Sequence, residues 1–359
     1  MAVGPNDSTG VKPFIHQRSN VLKELQKLAR LVEANLIWLV ILSIIVGVAF
    51  GRLFPAQAKG LKAYTTVALF VMLYPMMIGL RIEEVGKAAA NLKLISLSML
   101  FNFVFSPLLA AGLAFLFLRD RPDFAVGLIL TGTVPCAGMV AGWTGYAKGN
   151  VALALVIVAL SLLVSIVMIP IWMPILAGVY VQIDALAMFK DILIAVVVPL
   201  ILGDLTRRAI IRFRSAETFQ HVKPILPGAS MLGMYMIVFI SMALEANNVI
   251  QHPQYFLIVA IPLAFLYAIM FTGSVLFSKA ARFSYENMIA FSYGVAGKNI
   301  SIALALATIF FSPMTVLVLA LKPVIQIAFM TAFLRISPWL KAKFFLPPVQ
   351  VQQHTIGGA

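Results

Sequence analysis

The 359 residues are 62% hydrophobic and 11% charged, with a mean hydropathy of +0.99. Soluble domains carry about 25% charged residues, so too little polar side chain is present to coat a water-facing globule; a soluble enzyme, a nucleic-acid binder and a disulfide scaffold are excluded. The net charge of +14 fits the Lys and Arg excess of cytoplasmic loops in membrane proteins, and the single cysteine, Cys136, has no partner for an intramolecular disulfide.

Residues 1–20 are polar and lack an apolar run, the pattern of a chain without a cleavable signal peptide. Over 21–32, Leu22, Leu25, Leu28 and Val32 share one helical stripe. This segment either lies on the membrane surface as an amphipathic helix or begins the first crossing. Ten apolar runs follow, at 35–53, 63–80, 94–118, 124–146, 151–177, 190–205, 225–244, 255–277, 288–309 and 314–334. A hydrocarbon core about 30 Å thick takes about 20 helical residues per crossing, which suits each of them. With the N-terminus in the cytoplasm, inside segments hold 19 Lys and Arg against six outside, so both termini are expected to be cytoplasmic. The expected organisation is a cytoplasmic segment over 1–34, a five-helix unit over 35–177, a second over 190–334 and a cytoplasmic tail over 335–359.

Because five is odd, a duplicated half re-enters the membrane upside down, giving two inverted five-helix repeats. The fourth run is interrupted by Val134-Pro135-Cys136-Ala137-Gly138 and the ninth, five helices later, by Gly294-Val295-Ala296-Gly297-Lys298-Asn299. Unwound backbone at matching positions offers N–H and C=O groups to cargo, and such breaks point to a transporter's binding site. Pro75, Pro107, Pro170, Pro199, Pro262 and Pro323 show that proline alone is common in these runs; the matched placement sets the two breaks apart.

Every carboxylate falls at an end or in a loop of this scheme, which argues against sodium coupling, since a bound cation usually has a fixed acidic counter-charge. Lys298 is the opposite case. A lysine deep in a membrane helix costs several kcal/mol unless it is solvated, paired or neutral, so it is a candidate for attracting an anion or exchanging a proton. Lys322, next to Pro323 in the last run, has either that role or a structural one. Cys136, beside Pro135 at the first break, is either a small hydrophobe or a soft ligand. Phosphate-binding loops and metal-ligand clusters are absent, and His16, His221, His252 and His354 sit in loops or tails. ATP-driven transport by this chain alone is excluded, and no resident metal or cofactor is expected.

The stretches Met72-Leu-Tyr-Pro-Met-Met-Ile-Gly-Leu-Arg-Ile-Glu-Glu-Val-Gly-Lys87 and Gly127-Leu-Ile-Leu-Thr-Gly-Thr-Val-Pro-Cys-Ala-Gly-Met-Val-Ala-Gly-Trp143 resemble arsenite efflux transporters of the bile acid/arsenite/riboflavin transporter superfamily. So do Ala260-Ile-Pro-Leu, Met270-Phe and Ser284-Tyr-Glu-Asn287, while Tyr146-Ala-Lys-Gly-Asn-Val-Ala-Leu153 is similar to bile acid:sodium symporters as well. The resemblance implies an all-α membrane protein of ten transmembrane helices, built as two inverted five-helix repeats, with a panel domain and a core domain in which discontinuous helices 4 and 9 cross. It implies that Cys136 matches a helix 4 cysteine required for transport. The arsenite branch also has Asn-Asn-Phe-Glu in helix 9; here the matching residues are Lys298-Asn299-Ile300-Ser301, so Ser301 replaces the acid. The sodium-coupled branch has a Glu and a Gln where this chain has Gly294 and Lys298, and a Ser-Asn pair where it has Val140-Ala141.

These departures remove the sodium ligands and put a cation at one of their places. Two like charges about 4 Å apart repel by about 4 kcal/mol at an effective dielectric of about 20. The expectation is therefore a sodium-independent, proton-coupled efflux carrier of trivalent arsenic or antimony in the inner or plasma membrane, with a carrier of small organic anions as the alternative. A sensor or partner subunit is disfavoured by the lack of an appended soluble domain. Candidate substrate contacts are Pro135, Cys136, Trp143, Lys298, Asn299 and Ser301, with Cys136 on the metalloid. The proton-coupling candidates are Lys298 and Lys322. The lipid bilayer is the expected surrounding partner.

Overall fold

A computed structural model describes residues 12–79 and 92–345, without the side chains of 12–21 and 195. Residues 1–11, residues 80–91 with Arg81, Glu83, Glu84 and Lys87, and residues 346–359 lie outside the described residues. Apart from one isolated bridge, every regular element among the described residues is helical. In chain order these are α1 (Lys12–Ala34), α2 (Leu36–Leu53), α3 (Pro55–Gly60), α4 (Thr65–Ile78), α5 (Leu92–Leu100), α6 (Ser106–Leu118), α7 (Pro122–Thr133), α8 (Val140–Tyr146) and α9 (Val151–Trp172). There follow α10 (Ala185–Ile192), α11 (Val198–Phe213), α12 (Ala216–Val222), α13 (Leu226–Leu244), α14 (Ala246–Gln251), α15 (Tyr255–Ala280), α16 (Tyr285–Ala296), α17 (Ile300–Phe310) and α18 (Pro313–Leu340).

Seven described helical runs are long and apolar enough to cross a membrane: Leu36–Leu53, Pro55–Ile78, Leu92–Leu118, Val151–Ala177, Ala216–Leu244, Tyr255–Ala280 and Pro313–Phe345. The run expected at 190–205 is helical from Ala185, where the Asp184 carboxylate accepts from the amides of Leu186 and Ala187 and so starts the helix five residues early. The fourth and ninth runs are each divided in two, α7/α8 and α16/α17. The last helix does not stop at 334. Its continuation packs aromatic faces, with Trp339 and Phe344 ring centroids 5.7 Å apart and the Lys279 ammonium 4.4 Å from the Phe344 ring, so the first part of the expected tail is structured.

Two bundles share the interior. In one, α13 packs against α1, α2 and α4, and α11 lies on α4. Glycine sets its spacing: a methyl group at Gly51 would collide with the backbone of Ala243, and one at Gly233 with the backbone of Met72. Such small-residue seams let membrane helices approach to backbone contact, where dispersion replaces the absent hydrophobic driving force. In the other bundle, α7 packs on α6 and α18, α15 on α16 and α18, and both α8 and α16 on α9. The bundles meet where α17 touches α4 and α13, and where α18 touches α2 and α13.

Candidate functional site

The first break follows from Pro135. A proline disfavours helical backbone in the residue before it, and Val134 is extended, at φ −69° and ψ 154°. The second break ends α16 at Gly297, where a Cβ would sit 2.5 Å from Val140 Cγ2 and 2.7 Å from the Tyr293 carbonyl; only glycine lets the segments come this close. The two unwound stretches then pair with each other. Cys136 and Lys298 form an antiparallel bridge, with the Ala137 amide donating to the Gly297 carbonyl at 2.7 Å and the Asn299 amide to the Pro135 carbonyl at 2.8 Å. Backbone groups freed by the breaks are thus satisfied across the chain's two halves, as a membrane interior requires.

Lys298 is fully enclosed, and its ammonium sits in a cage of oxygens. Nζ donates to Asn102 Oδ1 at 3.0 Å and to the carbonyls of Gly132, Asn102 and Val134 at 3.1, 3.2 and 3.3 Å. Gly132 and Val134 belong to the C-terminal end of α7, the negative end of the helix dipole, which favours a cation there. Asn102 lies in the π-helical turn Phe101–Phe105 between α5 and α6, and its amide nitrogen donates to the carbonyls of Ser98 and Gly294, each at 3.0 Å. With Nδ2 committed to carbonyls, Oδ1 faces the lysine. The cage consists of acceptors only, the arrangement that suits three N–H donors of an ammonium.

Cys136 is buried on the other side of the bridge. Its amide donates to Ser161 Oγ at 3.2 Å, and Ser161 in turn donates to the Val158 carbonyl at 3.0 Å. The hydroxyl has a single hydrogen, so in the 3.1 Å contact between the two side chains the thiol is the donor. Asn299 begins α17 by accepting from the Ile302 amide at 3.0 Å, and its Nδ2 reaches Met76 Sδ of α4 at 3.7 Å. Lys322 is also fully buried, and among the described residues its ammonium's acceptor is the Asn299 carbonyl, 3.2 Å away.

Five of the seven candidates, Pro135, Cys136, Lys298, Asn299 and Lys322, therefore meet at one crossing. Ser301 lies one step along, half-buried in the first turn of α17. Trp143 sits on the flank, on α8, with its ring 6.1 Å from that of Tyr293. Sequence reasoning missed Asn102 and Ser161. A polar residue inside an apolar run was the available signal, but neither its direction nor its partner is visible without the fold. Gly294, at the second break, offers its carbonyl to Asn102.

Residues 66–252 match the Sodium Bile acid symporter family, more than half of the chain. The chain belongs to that family. It is 24% identical over 328 residues to the arsenical-resistance protein Acr3 of Corynebacterium glutamicum, covering 84% of this chain and 88% of that one. The Acr3 protein of Alkaliphilus metalliredigens is 26% identical over 289 residues, 74% of this chain and 79% of its own. An uncharacterised sodium-dependent transporter of Bacillus subtilis, YocS, is 26% identical over 284 residues, covering 78% and 83%. The chain is thus a multi-pass membrane transporter rather than an enzyme, and its relatives include arsenical-resistance proteins.

Proposed function

We propose that this chain is a sodium-independent secondary transporter that exports trivalent arsenic or antimony species by alternating access. The observation that carries the reading is the crossing, which sets a buried thiol and a caged ammonium on two paired, unwound segments. Arsenite is neutral at pH 7, so its recognition rests on a soft ligand and on hydrogen bonds, which Cys136 and the loosened backbone supply. The arsenical-resistance relatives support the same cargo.

The cage supports sodium independence. Four oxygens that could ligate a monovalent cation are already taken by the tethered Lys298 nitrogen, which a sodium ion would have to displace. Both lysines are candidates to exchange a proton during transport: Lys298 has four oxygen acceptors around Nζ, and Lys322 has the Asn299 carbonyl. A ten-helix architecture fits the seven long apolar runs together with the helical stretch 185–213 and the divided helices α7/α8 and α16/α17. With both termini in the cytoplasm and the chain in the plasma membrane, export runs from the Lys/Arg-rich side.

Arsenite efflux from cells lacking other exporters, measured with sodium and then with choline as the external cation, tests the reading. Equal efflux in both, abolished by Cys136→Ala, is expected; full efflux from the Cys136→Ala protein would overturn it. A second reading, carriage of small organic anions, draws on one observation: the fully buried charged side chains at the crossing are both lysines, and no carboxylate among the described residues is buried with them. Uptake of a labelled anion panel into proteoliposomes distinguishes the two.

A further inference from the structure

Away from the crossing, a groove of about 400 Å³ opens on the seam between the two bundles, lined by Ile37 of α2 and by Ile327, Ala328, Thr331, Ala332 and Arg335 of α18. Ala328 and Ala332, one turn apart, hollow its wall. From Ile327 to Arg335 it follows α18 for about 12 Å at 1.5 Å per residue. Its lining is aliphatic up to Thr331 and Arg335, so it is an apolar trough with a cation at one end. Neither α2 nor α18 contains an Asp or Glu, and no ion pair among the described residues involves Arg335. Trp38, 71% exposed beside Ile37, and Trp339, 54% exposed one turn beyond Arg335, mark the headgroup level of the same membrane face. Arg335 is therefore placed just inside the interface, where a phosphate and the start of an acyl chain lie together.

We propose that this groove binds one anionic glycerophospholipid, with its phosphate on Arg335 and an acyl chain laid along Ala328 and Ala332 against Ile37. Charge selects the headgroup, because a juxtamembrane arginine without a carboxylate partner gains by meeting an anionic lipid rather than a zwitterionic one. Shape selects the chain, because the alanines leave room that a neighbouring helix does not fill. The groove joins one helix from each bundle, so the lipid contacts both sides of the seam. The proposal needs only that the chain spans a membrane, and it stands apart from the identity of the cargo.

The full-length protein is reconstituted in nanodiscs of phosphatidylcholine containing a minor share of phosphatidylglycerol, and the lipid retained on the protein is identified by native mass spectrometry. Phosphatidylglycerol is expected to be retained about fivefold over its share of the bilayer, the worth of one basic residue at the surface. Arg335→Gln should bring that ratio to about one and Arg335→Lys should keep it, while Ala332→Phe should reduce retention of both lipids. Thermal unfolding in phosphatidylcholine alone checks that each variant is folded. The proposal is overturned if Arg335→Gln keeps the preference, if Ala332→Phe holds lipid as the wild type does, or if the wild type retains both lipids in bilayer proportion. If Arg335→Gln does not fold, Ala332→Phe and the wild-type ratio decide.

Discussion

Replacing Lys298 by alanine tests the caged ammonium. The substitution removes Nζ from among four oxygens 3.0–3.3 Å away and leaves a void where the side chain ran. Hydrogen bonds from a charged donor contribute about 1.5–3 kcal/mol each, but burying an ammonium costs several kcal/mol, so the intact site is near balance. The variant is not in balance, because each buried acceptor left without a donor costs about 1–3 kcal/mol. Carbonyls keep other partners and Asn102 can turn, so we expect a net loss of about 3 kcal/mol rather than the full sum of the four. For a chain of this size that is a fall of about 6 °C in Tm, at about 2 °C per kcal/mol. A small monovalent cation can take the vacated place among the oxygens. Thermal unfolding of purified protein at constant ionic strength should therefore show Lys298→Ala recovering in sodium or potassium but not in choline, with the wild type indifferent. The reasoning is refuted if the variant melts like the wild type in every salt, or if sodium specifically stabilises the wild type.

Cys136→Ser retains a hydroxyl to bond Ser161 and should change Tm by less than about 2 °C, since about 1 kcal/mol is at stake; arsenite efflux should nevertheless fall at least about tenfold with the loss of a soft ligand. Gly297→Ala forces a methyl group against Val140 and the Tyr293 carbonyl and should cost about 1–3 kcal/mol, read as lowered Tm together with lost transport. Lys322→Gln should leave efflux present but flatten its pH dependence, measured in everted vesicles; an unchanged pH profile would remove Lys322 from proton coupling. At the membrane face, Glu286 is held below the usual carboxylate range by hydrogen bonds from its own backbone amide and from Ser284, with Lys341 3.5 Å away, against a smaller upward push from burial. A depressed carboxylate stabilises above its unfolded value and loses that contribution as pH falls through the folded one, so Glu286→Gln should lessen the acid-induced drop in Tm.

The two breaks were legible because their causes are local: Pro135 forbids the helical backbone before it, and Gly297 stands beside a lysine that an apolar run does not tolerate by chance. Their pairing was not, because a bridge between residues 162 positions apart leaves no trace in periodicity. Asn102 was missed for a related reason. The π-helical turn at Phe101–Phe105 shifts the register of the span, so a wheel with 3.6 residues per turn does not aim that amide at Lys298. Lys322 remained ambiguous in the sequence, since proximity to Asn299 depends on how α17 folds back onto α18. The early start at Ala185 and the long reach of α18 were hidden by polar residues that the structure uses as a helix cap and as partners for aromatic rings.

The hydrogen bonds of the bridge tie residues 135–137 to residues 297–299. A second lashing lies at the membrane face, where the Asn150 amide donates to the Glu286 carbonyl at 2.9 Å and Tyr285 Oη donates to the Ala147 carbonyl at 2.9 Å. Segments from opposite halves of the chain are thus fastened at two depths and cannot part like jaws without breaking hydrogen bonds, the deeper of them main-chain bonds in a buried interior. In the proposed alternating access, these bonds favour a motion that carries both segments together, as one carriage travelling past the glycine-tight bundle beside it.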